Sequence, residues 1–87
     1  MVSLNGLKKY AVSFGETSDD ELQLCLDAAA TWCENAGVSA PETENRLYEL
    51  LVYRLATFYH DHRGFPENGN DAAFVGINGM VLQLRDP

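Results

Sequence analysis

Positive charge is scarce in this chain: six lysines and arginines stand against thirteen aspartates and glutamates, a formal net charge of −7. Binding DNA through its phosphates needs a basic stripe, and Lys8, Lys9, Arg46, Arg54, Arg63 and Arg85 are scattered instead. So acidic a chain repels nucleic acid at long range, and sequence-specific nucleic acid binding is not expected. Cysteine is confined to Cys25 and Cys33. On one helix, eight residues of rise would part them by about 12 Å, beyond disulfide reach. No CxxC or Cys/His spacing for zinc accompanies them, so they read as small buried thiols of a reducing compartment. Long apolar runs are missing as well: none approaches the ~18 residues of a membrane-spanning helix. Asn5, Gly6, Lys8 and Lys9 interrupt the N-terminal stretch where a signal peptide carries its apolar core. These absences point to synthesis in a cytoplasm and to no membrane partner.

Catalytic patterns are equally thin. The stretch GFPENG has neither the spacing nor the lysine of a phosphate-binding loop. No nucleophile-elbow pattern accompanies the serines. Glu16, Asp19, Asp20 and Glu21 lack the alternating ligand spacing of a calcium loop, and read as capping carboxylates. No enzyme activity, cofactor or metal is therefore expected.

What is present is helical. With 46% hydrophobic and 22% charged residues over 87 positions, the composition is that of one small globular domain with a modest core. Four helices are predicted, over about 3–10, 18–36, 44–63 and 77–85. Ser3 is placed to cap the first, in which Leu4, Leu7 and Ala11 recur at helical spacing. Ser18-Asp19-Asp20-Glu21 fits a capping box for the second. Its apolar stripe is Leu22, Cys25, Leu26, Ala29, Cys33 and Ala36, widened by Leu24, Ala28 and Trp32. Gly37 is placed as its left-handed C-terminal cap. Pro41 opens the way to the long third helix, with Thr43 as its expected cap. A glycine- and asparagine-rich connection precedes the short last helix, where Ile77, Val81 and Leu84 share a face. The expected fold is an all-α, four-helix domain whose second and third helices form an antiparallel central pair.

Both histidines lie in FYHDHRGF, at the end of the third helix. At ~100° per residue, His62 falls within the apolar sector and His60 roughly 160° away from it. Two imidazoles at i and i+2 diverge on a helix and cannot grip one ion. His60 is expected on the solvated surface, and the stretch reads as a helix end. A metal-dependent enzyme using His60, Asp61 and His62 is the reading this geometry disfavours.

The third helix has more apolar surface than one small core normally covers, with Leu50, Tyr53 and Ala56 on its flanks. Either the other helices surround it, or those flanks meet another subunit.

Three stretches, taken in order, carry a family likeness. They are SLNGLKKY with TSDDELQLCLDAAATWCENAG, then LYELLVYRLATFYHDHR, then FVGINGMVLQLRD. Together they resemble the small helical head–tail connector (portal adaptor) proteins of tailed bacteriophages and prophages. His60 stands where that family usually has tyrosine, and Gly64 where a charged residue often continues. The resemblance implies a non-enzymatic subunit at the virion neck, made in the bacterial host cytoplasm. It also implies a ring of about a dozen copies that extends the DNA channel below the portal protein and docks tail or neck completion proteins. Arg63 is similar to the family's terminal arginine of the third helix. Gly76, Asn78, Leu84 and Arg85 resemble its closing motif, with roles in turn formation and subunit contact. The expected interface uses Tyr53, Arg54, Arg63, Phe74, Met80 and Arg85. A small acidic binding module that sequesters a protein partner is the alternative.

Overall fold

The structure, a computed structural model, describes residues 2–10, 15, 17–62 and 72–84. Among these residues there are four helices and no strand: α1 (Leu4–Tyr10), α2 (Asp19–Asn35), α3 (Arg46–His62) and α4 (Ala72–Leu84).

The helices α1, α2 and α3 each begin or end on a local device. Ser3 caps α1, its Oγ accepting the Gly6 amide at 3.0 Å and its carbonyl the Leu7 amide at 3.0 Å. Ser18, extended at φ −66° and ψ 152°, caps α2 by accepting the Glu21 amide at 3.2 Å. Asp19, Asp20 and Glu21 then fill the first turn, where carboxylates suit the helix dipole. At the other end Gly37 takes φ 91°, which a side chain would resist. That turn lets the Val38 amide reach the Cys33 carbonyl at 2.8 Å and the Gly37 amide reach Glu34 at 3.1 Å. These two bonds make a Schellman motif, and Val38 is buried against the end of the helix it closes.

Two boundaries differ from the sequence expectation. The cap of α3 is Asn45, whose Oδ1 accepts the amides of Leu47 at 3.0 Å and Tyr48 at 3.1 Å. Thr43 is exposed, two residues upstream of the true cap. The helix α4 begins at Ala72, so Gly76, Asn78 and Gly79 lie inside it and do not form a turn. A helical glycine costs about 1 kcal/mol relative to alanine. Burial of Ile77 and Val81 offsets that cost.

The central pair is antiparallel. At one end Thr17, just before α2, meets His60 near the end of α3. At the other end Tyr48, in the first turn of α3, lies beside Cys33 and Glu34 in the last turn of α2. The principal helix contacts are α2 with α3, α3 with α4, and α1 with α2. One apolar cluster joins all four helices, with Leu7, Leu22, Leu51, Leu55 and Val52 among its fully enclosed members. Cys25 and Cys33 are buried and in no disulfide. Burial pushes the Cys33 thiol up from 9.0 to about 11, so it stays protonated.

Candidate assembly surface

The expected interface on the flanks of α3 is largely enclosed within the chain. Tyr53 is only 9% exposed and Ala56 not at all, because α3 is a central helix. The Tyr53 hydroxyl accepts the Ser3 amide at 3.1 Å, and its ring lies 5.9 Å from that of Tyr10. Tyr53 is thus covered by α1 in the isolated chain, contrary to its expected exposure. Leu50 and Arg54 are exposed on the outer side of α3, with Arg46 and Asp61 along the same face. Arg54 lines a shallow recess with Tyr10, Thr57, Phe58, Asp61 and Ile77. Met80 is half-buried against the core. Phe74 lies in the first turn of α4, its side chain outside what the structure describes; Arg63 and Arg85 lie outside the described residues.

His60 also departs from expectation. Its side chain is only 19% exposed, because the entry to α2 packs on that face of α3. Nε2 lies 3.0 Å from Thr17 Oγ1, and Nδ1 lies 3.1 Å from Asp61 Oδ1. All three groups are satisfied when Nδ1–H donates to Asp61 and the Thr17 hydroxyl donates to Nε2. The order hydroxyl, imidazole, carboxylate is that of a nucleophile relay. The adjacent first turn of α2, however, presents Asp19, Asp20 and Glu21, the wrong sign to stabilise an oxyanion. Its evident effect is to tie the start of α2 to the end of α3. Among the described residues no three His, Cys, Asp or Glu side chains converge as metal ligands. Thr17 carried no sequence signal, since its partner is forty-three residues away.

Among the described residues, two further apolar surfaces carry the most exposed leucines. The first is the outward flank of α2, where Leu24 is 60% exposed, and Ala28 and Trp32 are half-buried. Leu24 lies five residues before Ala29, about 140° round the helix, which puts it outside the core stripe. The second is α4, which has no charged residue along its thirteen positions. Ile77 and Val81 face the core, while Leu82 on the opposite side is 72% exposed. No helix of the described residues is long and apolar enough to cross a membrane.

Comparison with protein-family models, with curated proteins and with solved structures gave no match.

Proposed function

We propose that this protein is a structural assembly subunit of the head–tail connector type, forming a closed homo-oligomeric ring below a portal protein at a virion neck. Its role there is mechanical, extending a DNA channel and offering a seat to a tail or neck completion protein, with no chemistry of its own. The observation that carries this reading is α4. A surface helix normally carries charge on its outer face, and one apolar all round belongs in an interior. This one has no charged residue, yet it holds Leu82 72% exposed in a chain of net charge −7. A helix of that kind fits a subunit whose remaining burial comes from assembly. The acidic balance also suits a channel wall, which must let DNA pass without holding it.

Light scattering and native mass spectrometry over a concentration series, followed by electron microscopy, test the proposal. The expected result is one discrete oligomer of many copies with rotational symmetry, formed alone or on addition of a portal protein. A persistent monomer or dimer under both conditions overturns it and fits a sequestering module instead.

A further inference from the structure

Resting on that assembly reading, we propose that the outward flank of α2 is the seat for α4 of a second copy, with Leu82 entering the recess between Leu24 and Trp32. The recess is lined by Leu24, Asp27, Ala28, Thr31, Trp32 and Asn35. These positions recur at three- and four-residue steps, the seam that one helix offers another. Ala28 stands at its middle and permits a close approach of the two axes. Leu24 to Asn35 spans about 16 Å, and the thirteen residues of α4 about 19 Å, so the lengths match.

Charge selects the occupant. Asp20, Asp27 and Glu34 repeat at seven-residue intervals along one border of the seam. Any copy carrying −7 is repelled from that border unless it approaches through an uncharged surface. The helices α2 and α3 carry carboxylates and α4 carries no charge, while α1, whose Lys8 is already paired with Asp19, is held on Tyr53 and α2 of its own chain. Gly79 adds to the fit, with open space around its α-carbon three residues before Leu82. A single chain cannot make this contact itself. Its Leu24 and Leu82 are both exposed while α2 and α4 are each held on α3. The two surfaces differ, so the contact is head-to-tail and propagates from copy to copy until it closes.

Cysteine cross-linking under mild oxidation tests the pairing, with Leu24→Cys, Leu82→Cys and the double variant compared with the parent chain. The expected result is a ladder of covalent oligomers from the double variant, a dimer from an equal mixture of the two single variants, and neither from a single variant alone. Leu82→Asp should also weaken association at least tenfold while leaving the helical circular dichroism unchanged. A single variant cross-linking to itself overturns the pairing in favour of a symmetric contact. Large oligomers by light scattering without a ladder from the double variant overturn this inference and leave the assembly reading intact. Monomers throughout, with a portal protein present as well as absent, overturn both.

Discussion

The backbone amide of Ser3 donates to the hydroxyl of Tyr53, 3.1 Å away and fifty residues on in the chain. This bond requires α1 to lie close over the tyrosine, and Gly6 permits that. A Cβ built on Gly6 would overlap the Tyr53 hydroxyl and lie 2.9 Å from Cζ. Gly6→Ala is therefore expected to destabilise the fold, although alanine is favoured in a helix by about 1 kcal/mol. Tyr53→Phe should cost about 1 kcal/mol for the lost hydrogen bond. The double variant should recover part of the Gly6→Ala loss, because the hydroxyl is the nearest obstacle. Urea midpoints of the four proteins measure this coupling, and simple additivity would refute it.

Gly79 gives the opposite sign. It is helical and exposed, and a Cβ there meets nothing within 4 Å. Gly79→Ala should stabilise the isolated subunit by about 0.5–1 kcal/mol through helix propensity and a less flexible unfolded chain. The measurement is thermal unfolding under dilute conditions, before copies associate.

Capping of α3 is testable by a pair of substitutions. Asn45→Ala removes an acceptor from two amides and should cost about 1–2 kcal/mol. Thr43→Ala, at an exposed position outside the helix, should change stability by less than about 0.5 kcal/mol. Equal losses in chemical denaturation would place the cap at the wrong residue.

The Thr17–His60 contact fastens one end of the central pair, joining the start of α2 to the end of α3. Thr17→Val and His60→Ala should each destabilise the fold by about 1 kcal/mol, with a double-mutant coupling of about 0.5–1.5 kcal/mol. Their effect should appear first as faster hydrogen exchange at the start of α2 and the end of α3. Uniformly faster exchange across the chain would argue against a local tie.

Alkaline pH should weaken the fold through Cys33. Burial raises its thiol from 9.0 to about 11, so the unfolded chain releases this proton sooner than the folded one. The stabilisation is fully present below pH 9 and is lost as the pH climbs toward 11. Tyr48 contributes with the same sign, its hydroxyl raised first by burial and then by Cys33 and Glu34. Urea midpoints between pH 8 and 11 should fall, and Cys33→Ala should flatten the early part of that fall. An unchanged slope in Cys33→Ala would remove the thiol from the account.

Much of the architecture was legible without coordinates, because α2 and α3 announce themselves locally. Ser18, the acidic first turn, the apolar stripe and Gly37 all act within a few residues of one another. The start of α4 was not legible. Gly76, Asn78 and Gly79 have turn propensity, and only the docking of Ile77 and Val81 on the core outweighs it. The α3 cap was misplaced at Thr43 for a simpler reason, since the side chain of Asn45, two residues on, accepts an amide bond equally well.

The candidate surface was less readable. Arg54, Met80 and Tyr53 were all expected on the outside; Arg54 is exposed and Met80 half-buried, but Tyr53 is enclosed, because its cover comes from Ser3 and Gly6 at the other end of the chain. Leu24 was counted into the core stripe of α2, and Leu82 was not singled out at all. By itself the sequence determined that this chain is helical and strongly acidic, and which positions on each helix share a face. Those properties follow from a 3.6-residue period and from charge, both of which act over a few neighbours. Only the tertiary structure decided which apolar faces are used up inside the molecule and which are left bare, because that depends on how distant segments shield one another from water.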